Sequence, residues 1–291
     1  YEIYQCDWSS DVCSSDLANS SKRPSQSVMS KYLIINRFFV GLGVCLALLP
    51  GAGAQQQQQY FDVPFVPTPY VVIEEMLRLA KVTPQDYVMD LGSGDGRVLI
   101  TAAKRYGASG MGVDLDGDLV AESQASAAEA GVSGRVSFQQ QDLFKTDFSR
   151  ATVITMYLLP GVMMRLQPRL LDLKPGTRLV SHDFRLGDWK PDVTTQIRKN
   201  TFLWIVPAKV AGTWSLPYGE LKLEQHFQRL SGTLKAIGMV VPVSGRLRGD
   251  QISLTMGEGV EFSGRVTPTE LGGTLRINGV PRGWYGAFVG N

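Results

Sequence analysis

Asp90-Leu91-Gly92-Ser93-Gly94-Asp95-Gly96 is the stretch of this sequence richest in groups that could do chemistry. Tyr87 to Leu91 before it form an apolar run of strand length. Arg97 to Tyr106 after it place Val98, Leu99, Ala102 and Ala103 on the inward side of a helix. A strand feeding a helix through a glycine turn presents backbone N–H groups and the positive end of the helix to a ligand. Glycine is required where a side chain would block that approach or forbid the φ angle. The spacing is G-x-G-x-G rather than the G-x-G-x-x-G of a dinucleotide-binding loop. Asp90, at the end of the strand, suits an ammonium or sulfonium group better than a pyrophosphate.

Other acids follow at strand ends. Gly110 to Leu115 read as a second strand whose tip carries Asp114, where a carboxylate can bind a ribose diol. Asp114, Asp116 and Asp118 superficially resemble a calcium loop. That loop needs Gly at its sixth position and Glu at its twelfth, and Leu119 and Ala125 stand there. Val136 to Gln140 form a third strand before Asp142-Leu143-Phe144, where Asp142 can meet an adenine amino group or cap the following turn. Thr152 to Tyr157 and Arg178 to Ser181 are the fourth and fifth strands, leading into Leu158-Leu159-Pro160 and His182-Asp183-Phe184. Strands alternating with helices (Ala121 to Ala130 is another) argue for a parallel, doubly wound sheet with ligands at its carboxyl ends. Val193 to Ile197 and Phe202 to Val206 are expected to close it as a hairpin through Arg198 to Thr201.

Composition narrows the function. The 291 residues are 44% hydrophobic, enough for a core, and the 29 basic and 27 acidic side chains provide no basic field for nucleic acid. With three Cys and two His, a Cys/His zinc site and a disulfide scaffold are both nearly excluded. Cys6, Cys13 and Cys45 all precede residue 55.

Together, DLGSGDGR, Asp114, Asp142 and the YLLP at 157–160 resemble a class I S-adenosylmethionine-dependent methyltransferase. With PFVPTP at 64–69 and SHDF at 181–184, the chain is similar to a small protein-lysine methyltransferase family. Its best-known members modify the c-subunit of ATP synthase, and its glycine loop also resembles that of the Dot1 histone methyltransferases. The resemblance covers about residues 62–207. It implies S-adenosylmethionine as cofactor and no metal. Asp90, Gly92, Ser93, Gly94, Asp95 and Gly96 would hold the methionine end, Asp114 the ribose, and Asp142 with Leu143 the adenine. Thr68, with Tyr70, belongs either to a lid over the cofactor or to a linker. Tyr157 would edge the acceptor pocket or serve as core, with His182 and Asp183 as candidate catalytic groups beside it. The implied partner is a protein, membrane-associated or not, or a small-molecule acceptor.

The two ends of the chain differ from this middle. Residues 1–28 resemble a translated sequencing adapter or a disordered extension. Residues 29–54 have the basic, apolar and small-residue parts of an export signal or N-terminal anchor, and 55–61 form a Gln-rich linker. The expected location is therefore exported or membrane-anchored, with the cytoplasm as the other option. From residue 208 short alternating runs punctuated by Gly and Pro predict a small antiparallel β-sandwich or barrel over 208–291. Its SGTL, SGRL, SGRV and GGTL echoes suggest repeated hairpins. The expected fold is thus α/β, a Rossmann-like methyltransferase sheet ending in an antiparallel hairpin, followed by this all-β unit. The second functional reading is an exported, non-enzymatic binding protein that retains the scaffold.

Overall fold

A computed structural model describes residues 65–290; the readings for residues 1–64 lie outside the described residues. The chain enters through helix α1 (Tyr70–Leu79), and then alternates: β1 (Tyr87–Leu91), α2 (Arg97–Tyr106), β2 (Ser109–Asp114), α3 (Gly117–Glu129), β3 (Val136–Gln140) and β4 (Val153–Met156). α4 (Pro160–Leu171), β5 (Arg178–His182), β6 (Val193–Ile197) and β7 (Lys199–Ile205) complete the first sheet. Its order is β3-β2-β1-β4-β5-β7-β6, with β1 to β5 parallel and β7 antiparallel to both of its neighbours.

Alternation along the strands feeds two apolar layers. Val88 of β1 joins Ile73, Leu77, Leu99, Ala102 and Val120 of α1, α2 and α3. Met89 and Leu91 face the other way, onto Met163, Leu166 and Leu170 of α4. A strand buried on both faces reads as a continuous apolar run, which is why β1 is legible in the sequence. α1 and α4 are not. α1 starts at Tyr70, in the stretch expected to be lid or linker, and α4 holds Pro168 in its interior. The closing hairpin is also tighter than expected, because β7 begins at Lys199 and only Arg198, at φ 62°, turns the chain.

The second unit decides between the two expected forms. β8 (Gly212–Leu216), β9 (Gly219–His226), β10 (Arg229–Ala236), β11 (Met239–Arg248), β12 (Gln251–Met256), β13 (Val260–Val266), β14 (Glu270–Ile277) and β15 (Val280–Gly290) form a closed barrel. Trp214, Leu221, Leu247 and Phe262 fill its interior. The repeated SG and GG echoes have a packing cause. A Cβ on Gly232 would stand 1.9 Å from the Lys222 carbonyl oxygen, and one on Gly264 would stand 2.2 Å from that of Gly272. Gly245 and Gly273 sit equally close to neighbouring carbonyls, so these glycines let the strands coil tightly enough to close.

The barrel packs against the amino ends of the parallel strands. Ala208 N–H donates to the Gly249 carbonyl at 2.8 Å, and Gly249 lies against Gly176, just before β5. Trp189 stacks on Phe227 at 5.7 Å, its indole N–H donates to Gln228 Oε1 at 3.0 Å, and Gln228 Nε2 donates to the Lys190 carbonyl at 2.7 Å. Arg246 pairs with Asp192 at 2.6 Å. Trp189 is fully buried at this junction. Trp189→Ala is expected to cost about 3–5 kcal/mol, as for truncation of a buried large aromatic. Denaturant titration monitored by far-UV circular dichroism checks this; a loss under about 1 kcal/mol would contradict the junction described.

Candidate active site

The carboxyl ends of β1, β2, β4 and β5 converge on one edge of the sheet, opposite the barrel. At its floor lies Asp90, 4% exposed, accepting a hydrogen bond from the Thr155 hydroxyl at 2.6 Å. Burial, opposed by that bond and reinforced by the charges of Asp114 and Asp95, pushes its pKa up to about 7. A carboxyl held this way gains most from a cation placed beside it.

The N–H groups of the glycine turn, expected to face a ligand, are mostly turned inward. Gly92 and Ser93 N–H both donate to the Val113 carbonyl, at 2.9 and 3.0 Å, and Gly96 N–H donates to the Ser93 carbonyl at 2.9 Å. Gly94 N–H donates to Asp114 Oδ2 at 2.8 Å. These donors are spent inside the protein, so the turn offers little to a phosphate. The three glycines also have different reasons. At φ 76° Gly92 passes under Leu158, and at φ 79° Gly96 faces Phe138 and Ser123, where a Cβ would come within 2.8 Å of either. Gly96 therefore serves helix–strand packing. Gly94, at φ 53°, has its open side covered by the Phe65 ring.

The other acids are placed as follows. Asp95 is taken up by Arg97, whose Nε lies 2.9 Å from both carboxylate oxygens, so its charge is not free for a cofactor. Asp114 keeps lone pairs for a diol beyond its bonds from Gly94 N–H and from Asp116 N–H at 3.1 Å. Asp142 accepts from Phe144 N–H at 2.8 Å, capping that turn, lies 3.8 Å from Lys145 Nζ, and keeps further lone pairs on its carboxylate. Leu143 is half-buried at that turn. Thr68, 8% exposed, gives its carbonyl to Arg97. Among the described residues four buried polar atoms lack a protein partner: Ser93 Oγ and His182 Nδ1 at this edge, Thr201 Oγ1 opposite His182 on β7, and Thr195 Oγ1 on β6.

The predicted acceptor end does come together. The Tyr157 ring lies 4.7 Å from His182, tilted by 55°, and 6.1 Å from Phe184, nearly parallel. His182 is buried, and burial holds its pKa below the ordinary imidazole value, keeping it neutral near pH 7. Asp183 sits at φ 67°, and its carboxylate pairs with Lys199 Nζ at 2.6 Å.

Sequence reasoning misses the residues that hold these groups in place. Along the chain Thr155 is only a strand residue and Arg97 only the start of a helix. Arg169 donates to the carbonyls of Phe144 and Thr146, both at 2.5 Å, and to that of Leu143 at 3.2 Å, fixing the turn that carries Asp142. None of the three has a signature in spacing alone, since each acts across the fold.

Comparison with known proteins decides the family. A family model described as the ANTKMT methyltransferase domain matches residues 90–193. A protein-lysine N-methyltransferase of Saccharolobus islandicus is 47% identical over 131 residues, covering 44% of this chain and 81% of that protein. The chain belongs to this family of S-adenosylmethionine-dependent methyltransferases. It spans a little over half the length of two mouse relatives. The lysine N-methyltransferase of the ATP synthase c-subunit is 35% identical, with 46% of this chain and 53% of that protein covered. The adenine nucleotide translocase lysine N-methyltransferase is 33% identical, with 50% and 63% covered. A Salinibacter ruber structure with S-adenosylhomocysteine, described as an RNA methyltransferase, is 49% identical over 50% of this chain and 96% of that one, with TM-score 0.49.

For this methyltransferase the raised pKa of Asp90 has a sign that can be measured. The folded value, about 7, lies above the ordinary aspartate value of 3.8, so without cofactor stability declines as pH rises between those values. A cationic cofactor needs the ionised form. S-adenosylmethionine affinity is therefore expected to weaken about tenfold between about pH 7 and pH 5.5, by proton competition. Asp90→Asn should abolish binding while flattening the pH dependence of apo stability, as read by calorimetry and thermal melts. Affinity that stays constant over this range would contradict the assignment.

Proposed function

We propose that this methyltransferase N-methylates a lysine side chain of a protein. The observation that carries this reading is the aromatic group of Tyr157, His182 and Phe184 beside Asp183 at the carboxyl ends of β4 and β5. Aromatic faces attract an ammonium and, once it is deprotonated, hold the amine in an apolar channel. The lysine methyltransferases among its relatives support the same acceptor.

When bound, S-adenosylmethionine supplies a methyl group on a positively charged sulfur, ready for in-line displacement without a metal. The chain's part is alignment and proton handling. Asp90, its rotamer fixed by Thr155, would hold the cationic end of the cofactor. Asp114 would hold the ribose diol. Tyr157 and Phe184 orient the acceptor, whose nitrogen must lose one proton before its lone pair can attack. His182, neutral and with Nδ1 unpartnered, is suited to accept that proton. Displacement of water by these rings favours the transfer.

Incubating the purified chain with radiolabelled S-adenosylmethionine and a membrane extract should label protein bands, with methyllysine recovered after hydrolysis. Label found only in RNA, lipid or small molecules would overturn the lysine reading. His182→Phe is expected to lower kcat about 100-fold, the usual contribution of a positioned base, while Tyr157→Ala mainly raises acceptor KM. Equal effects of the two variants on both constants would contradict these roles. Residues 29–54 support export or membrane anchoring of the same enzyme. Fractionation of cells expressing a tagged chain from Met29 tests that placement, and a soluble full-length cytosolic product would refute it.

A further inference from the structure

Residues 65–69 cross the glycine turn as irregular chain before α1 begins at Tyr70. Two contacts fix their path. The Phe65 ring rests on Gly94: a Cβ added there would come 2.2 Å from Phe65 Cε2 and 2.9 Å from Cδ2. The ring is nevertheless 45% exposed, so it lies over the turn rather than within a core. Behind it, Arg97 reaches in two directions. Its Nε and Nη2 grip the Asp95 carboxylate at 2.9 and 2.5 Å, while Nη1 donates to the Thr68 carbonyl at 3.3 Å. The guanidinium also lies over the Tyr70 ring, 5.3 Å from its centroid.

Arg97 thus bridges the glycine turn (Asp95) to the strap (Thr68) and to the first residue of α1 (Tyr70). The planar fork of a guanidinium can serve two acceptors in fixed directions at once, which an ammonium cannot do as rigidly. Gly94 lacks a side chain on the side that Phe65 covers. Access to that face and the position of the strap are therefore mutually dependent.

We propose that Phe65 and Arg97 are positioning residues for S-adenosylmethionine. Arg97 ties the strap to the glycine turn, and the Phe65 ring closes over the methionine end of the cofactor, so together they set how fast the cofactor leaves. This rests on the methyltransferase reading of the same site. Tyr157, His182 and Phe184 lie at the ends of other strands, so the pair acts on cofactor retention and not on the acceptor.

Release of S-adenosylhomocysteine from the full chain, followed by stopped-flow displacement, tests the proposal. Phe65→Ala and Arg97→Ala are each expected to speed release about tenfold, equivalent to about 1.4 kcal/mol. The KM for S-adenosylmethionine should rise in proportion. Phe65→Tyr should restore slow release, whereas Arg97→Lys should not, because it lacks the fork. Release within twofold of the parent in both alanine variants overturns the proposal, as does a fall in kcat at constant cofactor KM. Limited proteolysis supplies a readout that needs no cofactor: in apo Arg97→Ala chymotrypsin should cut after Phe65 faster than in the parent, because the strap loses its tie at the Thr68 carbonyl. An unchanged cleavage rate refutes the latch. Failure of the parent to bind cofactor would instead refute the methyltransferase reading, with the latch still decided by proteolysis.

Discussion

The Asp90 carboxyl, buried beneath the glycine turn and bonded to the Thr155 hydroxyl, is the constraint around which the site is arranged. A carboxylate enclosed in apolar surroundings without a cation is costly, and the upward push on its pKa expresses that cost. The sheet can retain it because β1 and β4 are neighbours in register, with Asp90 opposite Thr155, and both strands are otherwise packed. Placing the acid one residue earlier or later would turn it onto the other face of the sheet. The binding free energy of a cationic cofactor thus comes partly from relieving an unfavourable burial already present in the fold.

The glycine turn extends this logic. Its N–H groups close on Val113 and Asp114 instead of pointing outward, so the negative potential of Asp90 and Asp114 is not offset by a ring of free donors. A pyrophosphate would meet carboxylates there, whereas a group with ammonium and sulfonium charges meets complementary ones. At the other side of the crevice the charge density falls and aromatic rings take over, with Asp183 already paired to Lys199. The two ends of this edge therefore present different chemistry, a carboxylate-lined end at Asp90 and Asp114 and an aromatic end at Tyr157, His182 and Phe184.

The barrel has its own structural basis. Its closure depends on glycines that tolerate strand carbonyls within van der Waals distance, and its attachment depends on Trp189, Gln228 and Asp192 at the amino ends of the sheet. That location keeps it away from the crevice. Among the described residues no helix is long and apolar enough to cross a membrane.

Much of this is legible along the chain. β1, α2 and β3 have the limits that periodicity indicates, since apolar runs and turn residues are local properties. The acids at the ends of β1 and β2 can be singled out because strand-end position and residue type are both written in the sequence, as are the eight short runs of the barrel. Whether those runs make a sandwich or a closed barrel is not legible, because closure depends on pairing the last strand, β15, with the first, β8, across the fold. Nor can the sequence separate the roles of the three glycines or divert Asp95 to Arg97. It cannot show that Thr155, Arg169 and Phe65 support the site. Each of these follows from which side chain arrives opposite which group, and that depends on strand register and helix packing over distances that no local pattern encodes. The sequence by itself determined the class of ligand, through a carboxylate before a G-x-G-x-G turn. Only the tertiary structure decided how that carboxylate is held, what covers the turn and where the barrel stands.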